Sequence, residues 1–137
     1  MRATAIQSAN PRPLAHYTEA FRVGGLVFAA GQLPTDFSSG IPLEARIDPN
    51  FPFYGSAIKK RRHYIMHNLR HTFEAAGSSL EKILDVTVYL TDMKGDFDRF
   101  NRTYAEILGE VKPTRTTVGV DSLPTPISVE MKVIAAC

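Results

Sequence analysis

The run Leu26-Val27-Phe28-Ala29-Ala30 follows the pair Gly24-Gly25 and a first extended run, Tyr17-Thr18-Glu19-Ala20-Phe21-Arg22-Val23. Two extended runs separated by two glycines predict a β-hairpin, because glycine accepts the positive φ that tight hairpin turns demand. Gly31 ends the second run, where a glycine lets the main chain approach another group closely. The chain therefore begins with paired strands.

Two amphipathic helices are predicted further along the chain. The first covers Ser56 to Ala76, with apolar residues at helical spacing and Gly77 after its end. Ser78-Ser79-Leu80-Glu81 matches a capping box and predicts a short helical turn. Asp96 is a candidate cap for the second helix, which carries a buried stripe of Phe97, Phe100, Tyr104, Ile107 and Leu108.

Three further strands are predicted from runs rich in β-branched residues: Asp85 to Thr91, Arg115 to Val120 and Ile127 to Ala135. Arg46-Ile47 is a candidate for a short edge strand. The order β-β-(β)-α-β-α-β-β predicts a single α+β domain with two helices on one face of the sheet. Several strands are apolar on both faces, so we expect other copies of the chain to cover the face without helices.

The bulk composition limits the classes of function. The chain has 137 residues with 44% hydrophobic and 22% charged residues, which fits one packed domain. A net charge of +2 is too small to argue for nucleic-acid binding. The single cysteine, Cys137, cannot form an internal disulfide, and no signal-like or membrane-spanning apolar run is present. A cytoplasmic protein is expected.

Arg115 and Glu130 are the strongest candidates for chemistry. Arg115 stands at the mouth of a strand after Lys112-Pro113, and its planar donors suit a carboxylate. Glu130 lies on the face of the next strand opposite Val129 and Met131. Convergence on a small anionic substrate is one interpretation, and an ordinary salt bridge between neighbouring strands is the other.

The histidines His63, His67 and His71 are spaced four residues apart on the first helix, a spacing that can hold a metal. They lie away from the apolar stripe, beside Lys59, Lys60 and Arg70, and the H-E-x-x-H pattern is absent. We therefore predict a basic surface and no metal site. Asn101 lies beside the stripe of the second helix, either as an exposed amide or as a side chain that steers an adjacent pocket.

Several segments taken together resemble the RidA (YjgF) family of reactive-intermediate deaminases. They are Leu26-Val27-Phe28-Ala29-Ala30-Gly31-Gln32-Leu33-Pro34, Asn68 with Glu74-Ala75-Ala76-Gly77-Ser78-Ser79-Leu80, Val86-Thr87-Val88-Tyr89-Leu90-Thr91-Asp92-Met93, Phe100-Asn101-Arg102-Thr103-Tyr104, Pro113-Thr114-Arg115-Thr116-Thr117-Val118 and Val129-Glu130-Met131-Lys132-Val133-Ile134-Ala135. Each is weak alone, but their combination and order are specific.

The resemblance implies a chorismate-mutase-like fold with a six-stranded sheet, in a homotrimer whose three sheets form a central barrel. It implies clefts between subunits and a reaction without cofactor or metal, the hydrolysis of 2-imino or enamino acids to 2-keto acids and ammonia. Arg115 would bind the substrate carboxylate and Glu130 would position the attacking water. The family's other cleft positions correspond to Tyr17, Gly31, Asn101 and Thr117.

Departures from the family pattern surround the expected mouth of the cleft. Ala15-His16 replaces the usual Gly-Pro, Ala30 replaces a frequent serine, and residues 47–55 are longer and more aromatic, with Phe51, Phe53 and Tyr54. A ring-cleavage enamine such as 2-aminomuconate is therefore an alternative substrate, with His16 on its second carboxylate. A non-catalytic binder of small carboxylates and an RNA-binding protein are the alternatives from other classes.

Overall fold

The chain folds around one mixed sheet. The computed structural model describes residues 1–10, 13, 15–33, 54–124 and 127–137, and only the main chain within 54–64. The elements are β1 Thr4–Ile6, β2 Ala20–Val23, β3 Leu26–Ala29, α1 Tyr54–Ala75, a 3-10 turn Leu80–Lys82, β4 Ile83–Leu90, α2 Met93–Leu108, β5 Thr114–Gly119 and β6 Val129–Ala136. The predicted α+β class with a six-stranded sheet is confirmed.

The strand order is β1-β2-β3-β6-β4-β5. β4 and β5 run parallel and the other neighbouring pairs are antiparallel. The strand predicted at Arg46-Ile47 lies outside the described residues, as do Phe51 and Phe53. The six described strands include β1, which the sequence patterns do not predict. Among the described strands, β5 lies at one edge of the sheet, so Arg115 is close to that edge.

The core lies between one sheet face and the two helices. Alternate residues of the strands are buried there, as expected for side chains that alternate across a strand. From the strands they include Val27, Ala29, Val86, Val88, Leu90, Val129, Met131, Val133 and Ala135, and from the helices Ile65, Leu69, Phe73 and Phe100. The opposite face, here called the outer face, carries the exposed aromatic pair Phe21 and Phe28.

Glycines and capping residues set several of the boundaries of the strands and helices. Gly24, with a φ of 58°, forms the predicted turn of the β2–β3 hairpin. Gly77 follows α1, where the Ser78 N–H donates to the Phe73 carbonyl at 2.7 Å. A short 3-10 turn begins where the capping box predicts one, but Ser79 makes no side-chain cap, and Ser78 Oγ donates to the Ala136 carbonyl.

The prediction that Asp96 caps α2 is wrong. Asp92 is the N-cap, and its Oδ1 accepts from the Gly95 N–H at 3.0 Å. Asp96 is instead a buried residue of the first helical turn. In the part of the chain that the structure covers, neither helix combines the length and apolar character needed to cross a bilayer.

Candidate active site in two halves

Arg115 lies on the helix side of the sheet. In the parallel β4–β5 pair it is opposite Val86, whose side chain is buried in the core. Its Nη2 donates to Asn101 Oδ1 at 2.7 Å, and its guanidinium carbon lies 4.8 Å from the centre of the Tyr104 ring and 5.8 Å from that of Phe100. These aromatic faces favour the cation and restrict its orientation. Arg115 makes no ion pair with any carboxylate in the described ranges.

The Asn101 side chain is therefore not an exposed amide, and its oxygen accepts a hydrogen bond from Arg115. It is half-buried, and α2 presents it to the guanidinium across the end of β5. An amide oxygen that accepts one arginine N–H leaves the other donors of the fork for a ligand. Asn101 thereby restricts the orientation of the Arg115 guanidinium.

Two buried hydroxyls belong to the same region. Thr117 follows Arg115 by two residues and points to the same sheet face, and Tyr104 packs against the guanidinium. Neither Thr117 Oγ1 nor the Tyr104 hydroxyl has a hydrogen-bond partner among the residues described. Burial raises the pKa of Tyr104, and the nearby Arg115 lowers it by less, so the phenol is protonated at neutral pH. Arg115, Asn101 and Thr117, with the two rings, form what we call the Arg115 half-site.

Glu130 lies on the outer face, opposite Tyr89 in the β4–β6 pair. Its neighbours Val129 and Met131 point into the core, as the alternation predicts. Its carboxylate has no hydrogen-bond or ion-pair partner in the ranges the structure covers. Partial burial raises the pKa of Glu130 above that of an ordinary glutamate. A carboxyl with a raised pKa and free oxygens is suited to proton transfer.

Gly31 lies directly against Glu130. The Gln32 N–H donates to the Met131 carbonyl at 2.7 Å, which brings the end of the hairpin beside β6. A Cβ built on Gly31 would overlap Glu130 Oε1 and lie 3.1 Å from Cδ. Glycine is needed here because any side chain would displace the carboxylate.

Tyr17 is connected to Gly31 through the main chain. It is 55% exposed, and its N–H donates to the Ala15 carbonyl at 2.9 Å in a turn just before β2. Two residues later, the Glu19 carbonyl accepts from the Ala30 N–H at 2.9 Å, next to Gly31. Glu130 and Gly31, with the Tyr17 turn attached, form what we call the Glu130 half-site.

The two half-sites lie on opposite faces of the sheet within one chain. The salt-bridge interpretation of Arg115 and Glu130 is therefore wrong, because β5 and β6 are not neighbours and β4 lies between them. The structure joins Arg115 with Asn101 and Thr117, and Glu130 with Gly31, but does not bring the two sets together.

The predicted basic surface on α1 is described only in part, since the side chains of Lys59, Lys60 and His63 lie outside the described residues. The rings of His67 and His71 are 4.5 Å apart, and His71 Nδ1 lies 3.0 Å from Asn10 Oδ1. Across the described ranges, no three His, Cys, Asp or Glu side chains cluster as metal ligands.

Comparison with known proteins identifies the family of the chain. The model of the family described as endoribonuclease L-PSP matches residues 7–137. The chain belongs to this family, which is also called the RidA (YjgF) family. A RutC family protein of Pyrococcus abyssi is 36% identical over 125 residues, covering 91% of this chain and 89% of that protein.

Solved structures of this family share the fold. RidA from the Antarctic bacterium Psychrobacter superposes with a TM-score of 0.79 at 29% identity, covering 98% of this chain and 99% of that chain. TdcF of E. coli, crystallised with bound serine, superposes with a TM-score of 0.81 at 27% identity, covering 98% of each chain. The RidA-like assignment made from the sequence motifs is confirmed.

Sequence reasoning missed the contribution of the α2 aromatic rings. Phe100 and Tyr104 are predicted as core residues, and their faces also hold the Arg115 guanidinium. Predicting this contact requires the strand order, which places β5 beside β4. Helical periodicity does not reveal the strand order.

Proposed function

We propose that the protein is a cofactor-free hydrolytic deaminase that converts 2-imino and enamino acids to 2-keto acids and ammonia. The observation that carries the proposal is the pair of oppositely charged side chains, Arg115 and Glu130, neither of which has a charged partner in the described ranges. Both occupy positions where the family motifs have functional residues.

The active site in this proposal lies between subunits of a homotrimer. Because the sheet separates the half-sites, the Arg115 half-site of one subunit must face the Glu130 half-site of its neighbour. The outer face supports such an assembly, since Phe21 and Phe28 are 42% and 38% exposed in a single chain. In the trimer, the outer faces of three sheets form a central barrel and these rings are buried.

The reaction takes place at the electrophilic C=N carbon of the imine form of the substrate. Arg115 binds the carboxylate with donors that Asn101 leaves free, and so holds the C=N group next to Glu130. Glu130 takes a proton from a water whose oxygen forms a bond to the imine carbon. That proton passes to the imine nitrogen, which gives a carbinolamine. Glu130 then takes the hydroxyl proton as the C=O bond forms and delivers it to the nitrogen as the C–N bond breaks, so that ammonia leaves. The products are one 2-keto acid and one ammonia, and no metal or oxidant enters the balance.

The test is ammonia release from freshly generated 2-aminoacrylate. Wild-type protein accelerates the release, and Arg115→Ala lowers kcat/KM by about 10²-fold or more because the carboxylate is no longer oriented. Light scattering should show the same oligomer for both. Arg70→Ala, which removes an exposed arginine of α1, is the control and keeps full activity. Near-normal turnover of Arg115→Ala would refute the assignment.

A specialised substrate is supported by His16. This residue is exposed in the turn that holds Tyr17, and it suits a second carboxylate, as in a ring-cleavage enamine such as 2-aminomuconate. His16→Ala should raise KM for a dicarboxylic enamine and leave that for 2-aminoacrylate unchanged. Unchanged constants for both substrates would leave the simple imino acids as the preferred class.

Binding without turnover is the competing function, and the bound serine of TdcF gives it some support. Glu130 favours the deaminase over the non-catalytic binder, because a carboxylate near an anionic ligand opposes binding but assists hydrolysis. If keto acids bind while no ammonia is released, the protein is a binder. RNA cleavage, named in the family description, has less support here because a net charge of +2 gives little attraction for phosphates.

A further inference from the structure

Glu19 is a buried carboxylate outside the two half-sites. Only 8% of its surface is exposed, and it accepts four hydrogen bonds. The donors are the Ser8 N–H at 3.0 Å, Ser8 Oγ at 2.6 Å, Thr72 Oγ1 at 2.6 Å and Asn10 Nδ2 at 3.3 Å. Burial raises the pKa of Glu19, but these bonds together lower it by more, so the group is ionised at neutral pH.

The bonds join parts of the chain that are distant in sequence. Ser8 and Asn10 follow β1, whereas Thr72 lies near the end of α1. Asn10 Nδ2 also donates to the Asn68 carbonyl at 3.0 Å, and Asn10 Oδ1 accepts from His71 at 3.0 Å. One carboxylate thus fixes the N-terminal segment to the helix.

The main chain of Glu19 extends this connection to the Glu130 half-site. Its carbonyl accepts from the Ala30 N–H at 2.9 Å, one residue before Gly31, whose Cα lies against the Glu130 carboxylate. Tyr17 precedes Glu19 by two residues, in the segment that leads into β2. A shift of Glu19 would therefore move both Tyr17 and Gly31 relative to Glu130.

A buried charge with a full set of partners stabilises a fold no better than apolar residues of similar shape, but it fixes one geometry. We propose that Glu19 is a positioning residue of the Glu130 half-site, which holds the Tyr17 turn and the Ala30–Gly31 main chain in register with β6. This inference rests on the proposed function. Among the described residues, no hydrogen bond links Glu19 to Arg115. We therefore expect a change at Glu19 to affect the Glu130 half-site and not the Arg115 half-site.

Two variants at position 19 separate positioning from general stability. Glu19→Met has a similar length and removes every acceptor. Glu19→Gln keeps one oxygen, which can occupy the place of Oε1 and accept from Ser8 Oγ, Asn10 and Thr72. Ile83→Val, a buried change at the start of β4, serves as a destabilised control at a residue that belongs to neither half-site.

The experiment measures kcat and KM for 2-aminoacrylate, the Kd of pyruvate and the melting temperature of each protein. Glu19→Met should lower kcat by about 10- to 100-fold through misplacement of the reacting groups. The Kd of pyruvate, which is set by Arg115, should change by less than about twofold, well below the tenfold that corresponds to 1.4 kcal/mol. Glu19→Gln should regain most of the lost kcat, and Ile83→Val should lose melting temperature but not kcat.

The inference is overturned if Glu19→Met matches Ile83→Val, with a lower melting temperature and unchanged kcat, or if kcat and pyruvate binding fall together. Should Glu19→Met not fold, Thr72→Val removes one bond of the same network and must lower kcat with pyruvate binding preserved. Wild-type protein that releases no ammonia would overturn the proposed function and this inference with it. An active wild type with insensitive Glu19 variants would overturn the inference alone.

Discussion

Arg115 and Glu130 lie on opposite faces of the sheet, on either side of the same strand. Arg115 is opposite Val86 of β4, and Glu130 is opposite Tyr89 of the same strand. Residues an odd number of positions apart in a strand point to opposite faces. The two charged groups therefore belong to different surfaces of the protein. In the proposed active site, they meet across the boundary between two copies of the chain.

Mixed oligomers test this relationship. Arg115→Ala and Glu130→Gln should each be nearly inactive alone. In an oligomer reassembled from equal amounts of both variants, a cleft is intact when a Glu130→Gln subunit supplies Arg115 and an Arg115→Ala subunit supplies Glu130. Random assembly in a cyclic oligomer gives about a quarter of the clefts intact, and ammonia release should recover to that fraction.

The control for the mixing experiment is the double variant Arg115→Ala/Glu130→Gln combined with either single variant. No cleft in these mixtures has both groups, so activity should stay at the level of the single variants. Recovery that fails in the first mixture, with exchange of subunits verified by mass spectrometry, would mean that both groups act within one chain.

Gly31 and Gly25 form a matched pair of glycines. Gly31→Ala would place a methyl group on Glu130 Oε1, whereas Gly25 has no atom within 4 Å of an added Cβ. Because the carboxylate ends a flexible side chain, we expect it to rotate away at little cost in stability. Gly31→Ala should lower kcat by about 10-fold or more through misplacement of the base. Gly25→Ala should leave kcat unchanged, and equal activity of the two variants would argue against the close contact.

The raised pKa of Glu130 predicts the pH dependence of activity. Glu130 must be deprotonated to accept a proton, so kcat/KM should rise with pH through its pKa. Burial raises that pKa, which places the rising limb above the pH expected for an ordinary glutamate. A pH–rate profile from pH 4 to pH 8 measures the limb, and Glu130→Gln should lower the plateau by about 10²- to 10⁴-fold. A limb at or below the ordinary value would contradict this assignment.

The raised pKa of Glu130 also makes the free energy of unfolding depend on pH. A carboxyl whose pKa is raised in the folded state stabilises the fold below its unfolded pKa, and this contribution is lost as the pH rises through the folded pKa. Glu130→Gln should therefore gain stability relative to wild type as the pH rises, and the two should converge at acidic pH. Denaturant unfolding at several pH values measures the difference.

The elements of the fold follow from local sequence, whereas the halves of the site do not. Alternation in Val129-Glu130-Met131 places Glu130 opposite the core, and Gly24-Gly25 gives the hairpin turn. The insertion of β6 between β3 and β4 is a tertiary result that no local pattern specifies. It is this order that separates Arg115 from Glu130.

The hydrogen bonds of Glu19 could not be predicted from sequence patterns either, because they also depend on tertiary structure. Its members Ser8, Asn10 and Thr72 are brought together from distant positions, and none of them belongs to a recognisable motif. Pairing a buried carboxylate with hydroxyl and amide donors is a property of the folded chain. A spacing rule such as a capping box detects only partners on one element.

Phe28 on the outer face provides the last prediction. It is directly opposite Phe21 in the β2–β3 hairpin, and both rings are exposed in a single chain. Phe28→Asp would put a charge into the proposed barrel of three sheets, where burial of an unpaired carboxylate is strongly unfavourable. The variant should be monomeric by light scattering at micromolar concentration and should release no ammonia, since its clefts are dismantled. Phe28→Leu keeps an apolar side chain and should remain a trimer with activity close to wild type. A trimeric, active Phe28→Asp would show that this face is not where the copies meet.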